Sequence, residues 1–463
     1  MNPLNQLHAI TPLAWQPRRW LQGWSLAARL CGLLAVVLVF MQFVQLFKRA
    51  GRVGSDFGVF YRTATLLNNG SGGEIYTQRD SATGWPISIP PAGLVVFDPL
   101  VELPPLLAGA IWAVINLALL VGAIVALRRF LDKLDRQQRV YQSVFPWMVI
   151  IFLLLSTGSI QVGQFSLPFV ACWIFFLYAT ANGNCAWAGL SLAIPSAIKL
   201  YPALLLAVPL ADIERYRKEL IFFFLSIVLV CGVVPALVYG PRVGEITLSF
   251  FQNAIFSEEG RVTAMQMIDT QANQSLDVVM QRYLSYDPAF HARYPGIPHL
   301  SFEPQQVLQL AHVVRLCIIL ASAAVVFRWQ RHDRSCPLYK AMCMAALWSA
   351  ALYLILPETR SRYAVYTFLA FLPPLGAAVG AGMRANRLAY MTHCALIMFC
   401  LMLMLQFMPR PLRIYGPGFI GVLILWLFNV SHILSLSSAG PGKLISDPPS
   451  GALGRKASRP APV

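Results

Sequence analysis

Residues 106–127 read LLAGAIWAVINLALLVGAIVAL and contain no charged side chain. A run of this kind is apolar on every face, whereas a surface helix of a soluble domain is apolar on one face only. About 20 apolar residues are enough to cross the hydrocarbon core of a bilayer as an α-helix. The stretch therefore predicts a transmembrane helix.

Apolar runs of spanning length recur along the whole chain. Examples are 25–47, 220–239, 307–327 and 419–436. The chain has 463 residues, of which 57% are hydrophobic and only 12% are charged, whereas soluble proteins carry about 25% charged residues. The sequence therefore excludes a soluble protein and predicts an all-α polytopic membrane protein with about 12 transmembrane helices.

The net charge of +16 sets membrane topology and does not indicate a nucleic-acid surface. Basic residues cluster in short loops after apolar runs, at 128–139, 215–218, 328–334 and 384–387. Such clusters mark the cytoplasmic side of a membrane protein. We therefore expect a multi-pass protein of the cell (inner) membrane with both termini in the cytoplasm.

The same topology divides the chain into one domain and two flanking segments. Residues 25–437 form the predicted transmembrane domain, with extracytoplasmic loops at about 48–98 and 240–305. Residues 1–24 are the expected cytoplasmic N-terminus. Residues 438–463 are rich in Pro, Gly and Ser and lack an apolar face that could pack, which predicts a disordered cytoplasmic tail.

A break in the helical stretch 185–210 is predicted at residues 199–202, KLYP. The basic loops on either side are both cytoplasmic, so the chain must cross an even number of times between them. The stretch 185–210 must then cross outwards and return, and a proline cannot continue the helical hydrogen-bonding pattern. Broken backbone at membrane depth is tolerated where it is buried in protein or lines a wet cavity. Lys199 is therefore expected near the outer surface or in such a cavity.

Two of the polar groups on the predicted outer side are single charged residues. Asp56 lies just after the first predicted span and could act as a general base at the membrane surface; alternatively, it is a loop carboxylate paired with Arg52 or Arg62. Lys199 at the helix break suits an anionic ligand such as a phosphate. The alternative is a lysine that extends its ammonium group into the lipid headgroups.

Two polar stretches lie on the same side. Residues 269–276, DTQANQSL, carry amide and hydroxyl side chains that suit sugar hydroxyls but are also ordinary loop residues. Residues 357–363, PETRSRY, place two arginines on the predicted outer side, although basic residues in short loops are usually found on the cytoplasmic side. Guanidinium groups bind phosphate with paired donors; alternatively, these arginines contact lipid headgroups, or Glu358 neutralises one of them.

The order of these motifs resembles glycosyltransferase family 87, the polyprenyl-phosphate-mannose-dependent mannosyltransferase type of the GT-C superfamily. The resemblance rests on Asp56-Phe57 with Tyr61, Gly70 to Tyr76, Trp112 with Asn116, Gly163-Gln164, Ala188-Gly189 before KLYP, Asn273-Gln274-Ser275 with Arg282, and Pro357 to Tyr363. It implies a GT-C-like fold. It also implies transfer of a hexose, with mannose favoured, from a polyprenyl-phosphate donor to a hydroxyl of a lipid or glycan acceptor at the extracytoplasmic face.

The resemblance also suggests roles for individual residues. The family places its catalytic acid in the first external loop, where Asp56 stands here, and we expect it to act as the general base with inversion at the anomeric carbon. The expected ligands of the donor phosphate are Lys199, Arg362 and Tyr201. The expected sugar or acceptor contacts are Tyr61, Gln164, Asn273, Gln274, Ser275, Arg282 and Tyr363. The family often has His-Tyr where this chain has Arg362-Tyr363.

No cofactor is predicted, and a divalent metal stays open. His291 and His299 lie in the second external segment, but their spacing matches no recognised ligand set. The nine cysteines form no CxxC motif and lie in or beside apolar runs, which is typical of small packing residues.

Two other function classes are compatible with many spans and a broken helix. A transporter or flippase of a lipid-linked sugar would share these features, but such proteins usually contain repeated halves, and the sequence shows no convincing repeat. A membrane-embedded assembly scaffold is the third class. Large external loops favour an enzyme over both.

Overall fold

The computed structural model describes residues 25–50, 55–134, 140–256, 273–332, 336–383, 386–405 and 410–438. Nine helices in these ranges are long and apolar enough to cross a membrane, and no extended strand occurs in them. The prediction of an all-α polytopic membrane protein is therefore confirmed. The predicted N-terminal segment 1–24 and the tail beyond residue 438 lie outside the described residues.

Thirteen α-helices of nine or more residues are found in the described ranges. They are α1 (Leu26–Ala50), α2 (Asp56–Asn68), α3 (Pro105–Leu134), α4 (Val140–Val162), α5 (Ser166–Ala181), α6 (Cys185–Ile198), α7 (Ile213–Val228), α8 (Leu276–Leu284), α9 (Pro304–His332), α10 (Pro337–Ile355), α11 (Leu372–Met383), α12 (Arg387–Met404) and α13 (Pro417–Ser438). A 3₁₀ helix, Ser361–Phe371, leads directly into α11. Together they form one continuous span, Ser361–Gly382.

Three of the predicted crossings are short apolar helices. They are α5 with 16 residues, α6 with 14, and the segment Tyr201–Leu210. A full crossing takes about 20 residues, so these segments are shorter than the other spans. The described residues thus contain nine helices of spanning length together with these three shorter apolar helices, where the sequence predicts about 12 crossings, some of them short.

The chain stays helical beyond residue 239, where the sequence predicts that the span 220–239 leads into the second external segment, about 240–305. The helical stretch that begins with α7 reaches Ile255: the helix Val234–Tyr239 ends at Gly240, which adopts φ +61°, and the turn Gly240–Arg242 leads directly into the helix Val243–Ser249. Residues 257–272, which include the first half of the polar stretch 269–276, lie outside the described residues.

The helices divide into a buried centre and an exposed periphery. In the most apolar stretch of α4, 72% is buried inside the protein, and in that of α10, 78% is buried. The buried share is only 11% for the helical stretch that begins with α7 and 22% for α9. Helices that are apolar on faces turned away from the protein need a lipid environment. The central helices therefore form the core of the protein, and the peripheral helices expose apolar surface.

Two glycines allow close packing near the predicted site residues. Gly163 turns the chain between α4 and α5 with φ +70°, and a Cβ atom there would lie 2.7 Å from the Cβ of Phe57. A Cβ on Gly158 of α4 would lie 2.9 Å from the backbone nitrogen of Arg362. Both contacts are shorter than real Cβ contacts. The α4–α5 corner therefore sets the positions of the start of α2 and of the Arg362 backbone.

Candidate functional site

Asp56 is the first residue of α2. The Ser55 side chain caps the helix by accepting a hydrogen bond from the Gly58 backbone N–H at 3.0 Å. The first turn of a helix carries a partial positive charge that favours a carboxylate. Asp56 is only 6% exposed, so its carboxylate is held in a defined position and shielded from bulk water.

Arg362 holds the Asp56 carboxylate from a position 306 residues further along the chain. Its Nη1 atom donates to Oδ2 at 2.9 Å and to Oδ1 at 3.1 Å. The two side chains are 13% and 9% exposed. Arg62, one of the partners considered from sequence, is instead bonded to Asp80 at 2.7 Å, and Arg52 lies outside the described residues.

Glu358 balances part of the positive charge next to this pair. Its Oε1 atom forms a salt bridge with Arg360, 2.6 Å from Nε, and accepts a hydrogen bond from Arg362 Nη2 at 3.4 Å. The expectation that Glu358 neutralises an arginine is therefore confirmed. Because both arginines are engaged by carboxylates, they are oriented by protein groups and not only by lipid headgroups.

The predicted helix break at Lys199 is confirmed. Helix α6 ends at Ile198, and Lys199 adopts extended backbone angles, φ −146° and ψ 140°. The Lys199 Nζ atom lies 5.6 Å from the ring centre of Tyr201 and 5.8 Å from that of Tyr363. The guanidinium carbon of Arg362 lies 5.2 Å from the same Tyr363 ring. Two cations therefore flank one tyrosine, whose electron-rich face attracts both.

Burial shifts the proton affinities of two groups in this region. It raises the pKa of the Asp56 carboxyl above its usual value, and the positive charges of Arg362 and Lys199 partly offset the rise. Burial also lowers the pKa of the Lys199 ammonium to about 8, with Asp56 acting in the opposite direction. A carboxylate with raised proton affinity is suited to accept a proton, and Lys199 remains largely charged at neutral pH.

A cavity of about 920 Å³ opens beside these residues. Lys199, Tyr201, Glu358 and Tyr363 belong to its wall. Asp56 and Arg362 are not among the lining residues, and they connect to the cavity through Glu358 and Tyr363. We use "Lys199 cluster" for Asp56, Lys199, Glu358, Arg360 and Arg362. Its three cations and two carboxylates favour an anionic ligand.

Two further predicted site residues, Gln164 and Tyr201, help to orient the tyrosines. Gln164 Nε2 lies 3.4 Å from the hydroxyl of Tyr363, and the hydroxyl of Tyr201 is 3.2 Å from that of Tyr366. Gln164 is 2% exposed and Tyr363 is 6% exposed. The structure thus brings Asp56, Lys199, Arg362, Tyr201, Gln164 and Tyr363 together, as the sequence suggested.

The remaining predicted contacts lie away from the cavity wall and cross-link loops. Tyr61 donates to the Leu103 carbonyl at 2.7 Å. Asn273 Oδ1 accepts from the backbone N–H groups of Ser275 and Thr359, and Gln274 Nε2 donates to the Arg413 carbonyl. Arg282 Nη1 donates to the Ile414 carbonyl at 3.0 Å. Asn273, Gln274, Ser275 and Arg282 are at most 1% exposed, so their contact with sugar or acceptor stays a prediction.

Several polar residues of the cavity wall are not among the site residues predicted from sequence. Asp277 and Gln281 of α8 and His312 and Arg315 of α9 belong to the cavity wall, and we call them the Arg315 cluster. Arg315 interrupts the apolar run 307–327, and an ionisable residue at membrane depth is a signal of function that was available in the sequence. Gln281 lies only five residues after the polar stretch 269–276, so the sequence alone does not mark it as a separate site residue.

No group of three His, Cys, Asp or Glu side chains within the described ranges could hold a metal ion. His291 and His299 do meet, with ring centres 4.1 Å apart, and both pack against Tyr286. The structure therefore gives no specific residues to which a metal can be assigned.

A sequence model of glycosyltransferase family 87 matches residues 89–357. The match includes Gln164, Lys199 and Tyr201 and ends before Arg362, while Asp56 precedes it. No curated protein and no solved structure matches the chain. The matched range covers more than half of the 463 residues. The chain belongs to glycosyltransferase family 87 and is a glycosyltransferase with membrane-spanning helices.

Proposed function

We propose that the protein transfers a hexose, with mannose favoured, from a polyprenyl-phosphate carrier to an acceptor hydroxyl. The acceptor is a lipid or glycan, and the reaction takes place at the extracytoplasmic face of the cell membrane, with both termini in the cytoplasm. Family membership supports the transferase class. A lipid-linked donor would account for a site in a membrane-spanning protein.

One observation carries this proposal: a buried carboxylate and two cations gather around Tyr363. Arg362 contacts both Asp56 and the Tyr363 ring, and Lys199 approaches the same ring from the cavity wall. Sugar transfer from a phosphate carrier needs a base for the acceptor proton and positive charge for the leaving phosphate. The Lys199 cluster contains both.

The chemical step assigns each of these groups a role. The acceptor oxygen attacks the anomeric carbon while its proton passes to the Asp56 carboxylate. The bond between the anomeric carbon and the phosphate oxygen breaks, and the polyprenyl phosphate leaves with the electron pair. Attack from the face opposite the phosphate inverts the anomeric configuration. Lys199 and Arg362 stabilise the charge on the departing phosphate, and Tyr201 lies beside Lys199 on the cavity wall.

The ion pair between Asp56 and Arg362 must open for this step. Arg362 occupies both carboxylate oxygens, which lowers the tendency of Asp56 to accept a proton. A donor phosphate competes for the guanidinium group, because Arg binds phosphate with paired donors. Donor binding would therefore draw Arg362 away from Asp56 and leave the carboxylate available as the base.

The test is a transfer assay in proteoliposomes that contain the full chain and a labelled polyprenyl-phosphate mannose. Wild-type protein should transfer label to an added acceptor, and the product should have the inverted anomeric configuration. The Asp56→Asn variant should bind donor but lose about 10²–10⁴-fold in transfer rate, which is the usual contribution of a general base. Asp80→Asn is the matched control, since Asp80 is also a buried carboxylate paired with an arginine, Arg62, and does not belong to the Lys199 cluster.

Three results would contradict the proposal, and a fourth would overturn only its stereochemistry. Near-normal transfer by Asp56→Asn would remove Asp56 as the base. Movement of the labelled donor across the membrane without transfer would identify a transporter or flippase. Neither transfer nor movement, in protein that is folded and inserted, would favour an assembly scaffold. A product with retained configuration would overturn the single-displacement step alone.

A further inference from the structure

A second polar group lies on the wall of the same cavity, apart from the Lys199 cluster. Asp277 and Gln281 come from one face of α8, separated by four residues, which places them on adjacent turns. His312 and Arg315 come from α9 and are separated by three residues. All four line the cavity, so this Arg315 cluster is accessible to the same ligands as Lys199.

Arg315 and Asp277 form a close ion pair at its centre. Arg315 Nη2 donates to Asp277 Oδ2 at 2.5 Å, and Arg315 Nη1 lies 3.2 Å from His312 Nδ1. The side chains of Arg315 and Asp277 are 12% and 9% exposed. A buried ion pair of this kind contributes little net stability, because desolvation offsets the attraction. Its presence on a helix of spanning length therefore suggests a role in binding.

The pair leaves one hydrogen-bond acceptor and one donor unused. Asp277 Oδ1 and Arg315 Nε are buried, and neither has a hydrogen-bond partner among the described residues. Each atom is next to the bonded pair, so the free acceptor and the free donor lie close together. A buried polar atom without a partner is costly, and such atoms on a cavity wall indicate a ligand that can satisfy them.

The chemistry of these atoms selects neutral hydroxyl groups. A hydroxyl both donates and accepts, so neighbouring hydroxyls of a sugar can donate to Asp277 Oδ1 and accept from Arg315 Nε. The Gln281 amide, 4% exposed, adds a donor and an acceptor. An anion is disfavoured, because the charge of Asp277 cancels that of Arg315. The Lys199 cluster differs, since it contains three cations and two carboxylates.

We propose that the Arg315 cluster is the acceptor subsite and that it binds a neutral, hydroxyl-rich head group such as a sugar. This inference rests on the proposed function, in which the donor phosphate occupies the Lys199 cluster. A cavity of about 920 Å³ is at the upper end of ordinary ligand pockets, and therefore has room for two ligands side by side. The acceptor hydroxyl would then be delivered to the anomeric carbon from the Arg315 side.

The test measures binding of labelled octyl α-mannopyranoside to the full chain in lipid nanodiscs, with octyl phosphate as the anionic competitor. Asp277→Asn should weaken octyl mannoside binding about 10-fold or more, because a hydrogen bond to a charged group is lost. Gln281→Met, which keeps the ion pair and nearly keeps the side-chain volume, should weaken binding by a smaller factor. Asp80→Asn is the control and should bind as wild type does. Octyl phosphate should not compete at this subsite.

Unchanged octyl mannoside binding in both cavity variants would overturn the acceptor subsite, as would competition by octyl phosphate that depends on Arg315. Because binding of octyl mannoside requires no transfer reaction, the acceptor subsite and the proposed transferase function can be refuted independently. Binding that depends on Asp277, without any transfer from polyprenyl-phosphate mannose, would refute the proposed function and leave a sugar-binding site. Normal transfer in Asp277→Asn with an unchanged KM for the acceptor would refute the subsite alone.

Discussion

The Lys199 cluster and the Arg315 cluster are built on similar ion pairs. In each, an aspartate in the first turn of a helix, Asp56 of α2 or Asp277 of α8, is bonded to an arginine from a distant part of the chain. The clusters differ in what surrounds the pair. Lys199 and Arg360 add positive charge around Asp56, and Glu358 offsets only part of it, whereas the ring of His312 lies beside Arg315.

This difference shows how one cavity can distinguish two substrates. A cluster with excess positive charge attracts a phosphate, while a balanced pair with a free donor and a free acceptor suits a neutral hydroxyl group. The same pairing of Asp with Arg therefore supports opposite ligand preferences.

The pH dependence of transfer should be bell-shaped because of the Lys199 cluster. Asp56 must be deprotonated to act as a base, and its raised pKa places the acid limb above about 4, the usual Asp value. Lys199 must be protonated to hold a phosphate, so activity should fall as pH rises through about 8. Each limb should change kcat/KM about 10-fold per pH unit.

Lys199→Arg sharpens this prediction. Arginine stays charged far above pH 8, so the basic limb should move to higher pH while the acid limb stays in place. The profile of kcat/KM against pH, measured with saturating acceptor, is the readout. An unchanged basic limb in Lys199→Arg would show that another group titrates there, and the assignment of Lys199 to the donor phosphate would lose its support.

The glycine pair Gly163 and Gly183 tests how tightly Asp56 is positioned. Both have positive φ, +70° and +69°, so alanine at either should cost about 1–2 kcal/mol of stability. A Cβ at Gly183 has no atom within 4 Å, whereas one at Gly163 would lie 2.7 Å from Phe57, the neighbour of Asp56. Gly163→Ala should therefore lower the transfer rate about 10-fold, because small displacements of catalytic groups are costly.

The control for this experiment is Gly183→Ala, which should reduce thermal stability in the same way and leave the transfer rate near that of wild type. Transfer rates and melting temperatures of both variants are compared in the same nanodiscs. Equal transfer rates in the two variants would mean that the α4–α5 corner does not position Asp56.

Two features of the fold could be predicted from the sequence: its class, an all-α polytopic membrane protein, and the position of the helix break at Lys199. Apolar runs and basic loops specify a polytopic helical protein because the bilayer imposes simple rules of length and charge. The break at Lys199 followed from crossing parity and Pro202. The helical stretch that reaches Ile255 was not predictable, because a Gly-Pro pair can be followed either by a loop or by another helix, and the sequence does not distinguish these outcomes.

The site was predictable where a charged residue stood out against an apolar background. Lys199 is such a residue; Arg362 was indicated instead by its place on the predicted outer side, and Asp56 by its place just after the first span, and the structure brings the three together. Polar residues in loops were less informative. Asn273 and Arg282 looked like ligand contacts, yet their side chains bond to loop backbone, because buried loops must also satisfy their polar groups. Asp277 was overlooked because its partner Arg315 is 38 residues away.

The most direct test of the charge contrast is the dissociation constant of a labelled polyprenyl phosphate, measured in nanodiscs at pH 6.5. Lys199→Met should weaken binding about 10- to 100-fold, because a hydrogen bond between charged groups is lost. Arg315→Met should change it by less than about threefold, since the phosphate does not occupy the Arg315 cluster. Equal weakening by the two substitutions, or weakening by Arg315→Met alone, would contradict the account.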